Sequence, residues 1–276
     1  MPIRSLPSRL VVAGAAVAAL SSIASVAQAK DYQGAEVYSA QQVLYGRMEM
    51  RMWMARGSGL LSTFFMYKNG SEVTGTAWEE IDIEVKGKDN AQIWQSNLIT
   101  GVNRTKTSAQ LHDAGVSLAD GWHTFMLDWT PNYVSWSVDG QEVRRTDGTQ
   151  ATNQVADLIS PEGLRFNLWA ANLVDWAGAM DPAALPAYQA INWIKYYHYD
   201  AAAAEPFVLD WTDEFDTFDT ARWSRANWTF GENLADFSPS NAEVKQGALL
   251  LALTPTGQAV EFPEVPSDPL GGTTGT

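Results

Sequence analysis

Glu80, Asp82 and Glu84 alternate with Ile81, Ile83 and Val85 in the run Trp78-Glu79-Glu80-Ile81-Asp82-Ile83-Glu84-Val85. On a β-strand, successive side chains leave opposite faces, so the three acids share one face and the three aliphatics the other. The aliphatic set calls for a core. The acidic set places carboxylates at intervals of roughly 6.6–7 Å of backbone, and like charges so close raise at least one pKa. A fold gains no stability from such a row. What it offers is a protonated carboxyl beside an ionised one. The competing reading is a solvated edge strand, acidified against aggregation. That task usually falls to lysine or to mixed charges, so it explains the row poorly.

The elements that must hold this strand are short and alternating. Residues 35–38, 46–54, 60–67, 92–100, 123–128, 133–138, 143–146, 164–169 and 190–199 read as strands. Met48, Met50, Met52 and Met54 fall on one face, which fits a sandwich core better than a soft binding surface. Lys68-Asn69-Gly70-Ser71 is a turn, and Val138-Asp139-Gly140-Gln141 closes a hairpin. Residues 152–159 read as a weak helix or loop, and 170–188 as a long connection. The pattern predicts an all-β protein, an antiparallel β-sandwich. Residues 201–206, Ala-Ala-Ala-Ala-Glu-Pro, read as a linker. Residues 207–256 hold too few strands to stand alone and are expected to complete the same sandwich as 30–200. The proline-rich stretch 257–276 reads as a disordered tail.

Residues 1–29 carry the marks of a secretory signal: Arg4 and Arg9, an apolar run from Leu10 to Val26, and the small-residue site Ala27-Gln28-Ala29. An N-terminal membrane anchor is the competing reading, and the short run argues against it. No later stretch is apolar enough to span a bilayer. Cleavage removes two of 18 basic residues and none of 32 acidic ones, leaving a net charge of −16. Such a surface excludes nucleic acid, which needs basic contacts. It also disfavours anionic membranes and anionic polysaccharides; a neutral substrate fits. The absence of cysteine excludes disulfides and thiolate zinc sites. Twelve tryptophans suggest rings that stack on sugar faces.

The Glu80-x-Asp82-x-Glu84 motif resembles the Glu-x-Asp-x-Glu signature of glycoside hydrolase family 16. Leu61-Ser62-Thr63-Phe64-Phe65-Met66-Tyr67, Trp122-His123-Thr124-Phe125, Leu127-Asp128-Trp129-Thr130-Pro131, Trp136-Ser137-Val138-Asp139-Gly140, Leu164-Arg165-Phe166-Asn167-Leu168-Trp169 and Asn192-Trp193-Ile194-Lys195-Tyr196 are similar to that family's other strands. The resemblance implies a concanavalin-like jelly roll. It implies a secreted, monomeric, retaining endo-glucanase acting on mixed-linkage β-1,3-1,4-glucan, with no cofactor for catalysis. A segment resembling residues 215–254 usually comes first in the family and here comes last, which implies circular permutation; nearby termini make that physically reasonable.

By motif position, Glu80 is the nucleophile, Glu84 the acid/base and Asp82 the residue that tunes them, with Glu80 and Asp82 both ionised. Retention needs the two working carboxyls about 5–5.5 Å apart. Cα atoms four residues apart on a strand are separated by about 13 Å, a gap that two leaning glutamates can narrow. The resemblance further implies substrate contacts by Glu36, Phe65, Tyr67, Asn69, Gln95, Asn97, Trp129, Asn167 and Trp169, with weaker candidates in Trp176 and Trp228. Tyr38 stands where relatives commonly have arginine. His123 aligns with a histidine that supports the carboxylates, or is a polar core residue. One structural calcium is implied on Asn192 and on the backbone carbonyls of Glu214 and Gly247. A laminarinase specificity and a non-catalytic β-glucan-binding lectin are the alternatives. The motif lacks the extra residue of many laminarinases, and all three carboxylates are present.

Overall fold

The computed structural model describes residues 29–147 and 154–270. All of the expected leader except Ala29 lies outside the described residues, as do residues 271–276. The strands, in chain order, are β1 (Tyr32–Val43), β2 (Gly46–Trp53), β3 (Leu60–Tyr67), β4 (Ala77–Lys86), β5 (Ile93–Val102), β6 (Lys106–Thr107), β7 (Gln110–Asp113), β8 (His123–Trp129) and β9 (Tyr133–Val138). They continue with β10 (Gln141–Asp147), β11 (Glu162–Ala170), β12 (Ala187–Tyr199), β13 (Phe207–Asp213), β14 (Trp223–Arg225), β15 (Ala235–Phe237), β16 (Ala242–Lys245) and β17 (Ala248–Pro255). Among the described residues, helix is confined to single turns such as Val174–Ala177.

Two antiparallel layers face each other, as in a jelly roll. One, the cleft sheet, runs β14-β1-β11-β3-β4-β5-β7. The outer sheet runs β10-β9-β8-β2-β12-β17-β16, with β13 beside the far end of β12. The start of β1 crosses between them, pairing in parallel with β15 and antiparallel with β17. Residues 201–206 form the loop of the β12–β13 hairpin, closed by the Asp200 amide on the Pro206 carbonyl.

Alternation builds the core. Ile81, Ile83 and Val85 are fully buried, and Met48, Met50, Met52 and Met54 meet them from the outer sheet at 0–1% exposure. A buried side chain of this size contributes roughly 1.5–3 kcal/mol. The hairpin turn takes positive φ at both Asp139 (49°) and Gly140 (81°), the geometry that suits Asp-Gly between twisted strands.

One expectation is corrected. The stretch read as a disordered tail is laid across the outer sheet as far as Leu270. Phe262 and Val265 cover Trp53, Trp122, Ala190, Ala248 and Leu250, an apolar patch that alternation leaves on the sheet's far face. Trp122 Nε1 donates to the Pro266 carbonyl, Tyr188 to that of Glu261 and Lys245 to that of Phe262. Asp268 ends the strap in a pocket between Arg51 and Asn192.

Candidate active site

Register puts one polar face together. Glu80 pairs with Tyr67, Asp82 with Phe65 and Glu84 with Thr63 on one side of β4; Asp82 meets Asn97 and Glu84 meets Gln95 on the other. Arg165 pairs with Phe65 and Asn167 with Thr63, and Glu36 and Tyr38 of β1 extend the row. The result is a cleft of about 740 Å³ floored by Glu80, Asp82 and Glu84. Beneath it, the buried Trp136 donates its Nε1–H to the Asp82 backbone carbonyl at 3.0 Å and so pins β4.

The three acids differ in their surroundings. Burial raises the pKa of Glu80, while the Trp78 indole N–H and a hydrogen bond from Asp82 oppose the rise. Asp82 is 2% exposed, and burial together with the charges of Glu80 and Glu84 pushes its pKa well above the ordinary carboxylate range. Burial lifts Glu84 to about 7 against the Gln95 amide, which donates to Oε2 at 2.7 Å. Burial and the charges of Glu80 and Glu84 thus favour the protonated form of Asp82, against the expectation that it is ionised.

The cleft walls carry most of the expected contacts. Glu36, Phe65, Tyr67, Asn69, Asn167 and Trp169 line it. Gln95 reaches the site through Glu84, and its Oε1 accepts from Trp176 Nε1 at 3.1 Å. Asn97 shares the acids' face, but its oxygen accepts from the Ser108 amide. Trp169 packs with Trp176 and Phe230, and Tyr38 with Trp228, at centroid distances of 5.0–6.2 Å.

Two placements differ from expectation. Trp129 is sealed in the core, fully buried with its edge against Tyr45 at 5.0 Å; as the last residue of β8 it shares the core face with Phe125 and Leu127. It makes no wall of the cleft. His123 lies at the start of β8 in the outer sheet and pairs with Asp139 at 2.7 Å, so it supports no catalytic carboxylate.

Residues that sequence reasoning passed over complete the site. Arg165 binds Glu36 at 2.7 Å and Asn69 at 2.8 Å, and its guanidinium lies 4.8 Å from the Tyr67 ring centre. Its position two residues before Asn167 on the same face was a usable signal. Trp78 and Thr63 also line the cleft. Glu79, on the opposite face from the row, is buried and held by Ser160, the Ile159 amide and Lys68.

The calcium ligands can be tested on the register. Ile191 pairs with Leu249 and Ile194 with Asp213, which brings the backbone at Gly247 and Glu214 near Asn192. The Asn192 amide nitrogen donates to Asp268, leaving its carbonyl oxygen for other partners. All the donors are neutral oxygens, a set that fits calcium weakly. Among the described residues, no group of three or more His, Asp or Glu side chains is placed to hold a metal.

Comparison with known proteins agrees with this geometry. The sequence profile of "Glycosyl hydrolases family 16" matches residues 12–195. A "Beta-glucanase" of Fibrobacter succinogenes is 46% identical over 269 residues, covering 96% of this chain and 74% of that protein. The "Beta-glucanase" of Bacillus subtilis is 37% identical over 57% of this chain, and this match spans 60% of the Bacillus protein. Among solved structures, the Bacillus licheniformis β-glucanase superposes with a TM-score of 0.50 at 30% identity, over 60% of this chain and 71% of that one. The chain belongs to glycosyl hydrolases family 16. It is a glycoside hydrolase.

Proposed function

We propose that this protein is a secreted, retaining endo-glucanase that cleaves β-1,4 bonds next to β-1,3 linkages in mixed-linkage β-glucan. The observation that carries the reading is the placement of three carboxyls side by side on the floor of an aromatic-walled cleft. Neutral sugar rings suit those walls, with hydrogen bonds from Asn69, Asn167 and Gln95. The likeness to the Fibrobacter β-glucanase, over 96% of this chain and 74% of that protein, supports the substrate class. The same likeness, beside a shorter match to the Bacillus protein, supports circular permutation. Clearing of lichenan plates but not of laminarin or carboxymethyl-cellulose plates tests the specificity; binding without clearing would indicate a lectin instead. Secretion rests on residues 1–29. Among the described residues, no helix is long and apolar enough to cross a membrane.

In the proposed mechanism, Glu84 protonates the leaving oxygen while ionised Glu80 attacks the anomeric carbon, forming a glycosyl-enzyme ester. Water then breaks the ester, with Glu84 now taking the proton. Protonated Asp82 keeps its proton and hydrogen-bonds the Glu80 carboxylate, which holds that carboxylate in place and ionised. Activity should fall as pH rises through about 7, because Glu84 must be protonated for the first step. A pH profile of kcat/KM checks this, and an alkaline limb well above that value would contradict it. In Glu84→Ala, azide should rescue turnover and yield a β-glycosyl azide.

A calcium held by Asn192, Glu214 and Gly247 would supply electrostatic cross-linking of strands on either side of the 201–206 loop, and it takes no part in the chemistry. At a concentration a hundred times its Kd it would add about 3 kcal/mol. EDTA should then lower the melting temperature reversibly; an unchanged melt excludes the ion.

A further inference from the structure

Arg104 sits at the tip of the β5–β6 hairpin, in a backbone conformation that few L-residues adopt. Asn103 and Arg104 both have positive φ, 56° and 61°. The tip is pinned: the Asn103 amide donates to the Thr76 carbonyl, and its side-chain oxygen accepts from the Gly75 amide at 2.8 Å. Residues held this way tend to cluster where a side chain must be aimed.

The aim is inward. The Arg104 guanidinium lies 4.7 Å from the centre of the Trp78 ring, and Trp78 Nε1–H is bonded to Glu80 Oε2. On its other side, Arg104 Nη1 lies 3.8 Å from Glu232 Oε1. Glu232 belongs to the loop after β14, and its carbonyl accepts from the Asn172 amide at 2.7 Å. β5 and β14 lie toward opposite edges of the cleft sheet, with β4, β3, β11 and β1 between them. Both residues line the cleft.

We propose that Arg104 is a positioning residue of this glucanase: it clamps Trp78 so that the indole N–H stays on Glu80, and with Glu232 it bridges the cleft mouth. The proposal rests on the reading of Glu80 as the nucleophile. Stability does not account for the bridge. Its side chains are 46% and 50% exposed, and exposed ion pairs contribute little. A bridge that weak parts when a sugar chain enters, while the stack on Trp78 remains. Asp82, Glu84, Glu162 and Tyr67 are the titratable groups that interact with Glu80; Arg104 and Arg165 are the cations whose fields reach it.

Three variants test it: Arg104→Gln, Arg104→Lys and Glu232→Gln. For Arg104→Gln, kcat should fall about two- to fivefold with little change in KM, the size of an exposed cation–π contact. The acid limb of kcat should also move to higher pH, because Glu80 loses a cation. Arg104→Lys should restore the limb by keeping the charge, and Glu232→Gln should leave it in place. Carboxyl titration by 13C NMR reads the same shift without substrate. Coincident Glu80 titrations and equal kcat in wild type and Arg104→Gln would overturn the proposal. A wild type that hydrolyses no β-glucan would overturn the functional reading, while the titration still decides the role of Arg104.

Discussion

Glu80→Gln should reduce kcat on barley β-glucan by roughly 10⁴-fold, the scale of losing a covalent nucleophile. The substitution is close to isosteric, and the amide oxygen still accepts from Trp78 Nε1, so β4 keeps its place between β3 and β5. What disappears is the charge that attacks the sugar. Asp82 is a poor substitute for it, because burial raises its pKa well above the ordinary carboxylate range. The melting temperature should change little, since a buried carboxylate is replaced by a neutral group. Full activity in this variant would reject the nucleophile assignment. A comparable loss accompanied by unfolding would be uninformative, so circular dichroism belongs beside the kinetics.

Asp268→Ala should lower stability by about 3–5 kcal/mol, since removing one partner of a buried pair leaves the other charge uncompensated. Arg51 Nε and Nη2 each reach Asp268 at 2.9 Å, with side-chain exposures of 5% and 4%. Burial would raise the Asp268 pKa, but Arg51 and Asn192 outweigh it and hold the carboxyl below its ordinary range. The stabilisation is therefore present above the ordinary carboxylate range and fades as pH falls through the depressed value. For a domain of this size the loss corresponds to a fall in melting temperature of roughly 10 °C. The double variant Arg51→Ala with Asp268→Ala should cost less than the sum of the two single changes. An unchanged melt for Asp268→Ala would show that the strap contributes nothing.

The acidic row and the polar face of the cleft were legible because β-alternation is local. Once Glu80, Asp82 and Glu84 share a face, Tyr67, Phe65, Gln95 and Asn97 follow from pairing. The same rule left Trp129 and His123 unresolved. Alternation says which residues share a face, not which of two sheets the strand joins, and β8 joins the outer one. The strap was hidden for a different reason. Prolines at 263, 266 and 269 suppress regular structure, and its three anchors, Phe262, Val265 and Asp268, find partners far away in sequence. The raised pKa of Asp82 depends on its burial, which composition does not disclose. Arg104 carried no local signal, because its meaning depends on Glu232, more than a hundred residues on.

The most direct test of the central claim is NMR analysis of products during digestion of barley β-glucan. Double displacement at β-1,4 bonds next to β-1,3 linkages predicts that new reducing ends appear first as the β-anomer, on sugars that keep their β-1,3 bond. An α-anomer appearing first, or new ends formed at β-1,3 bonds, would contradict it.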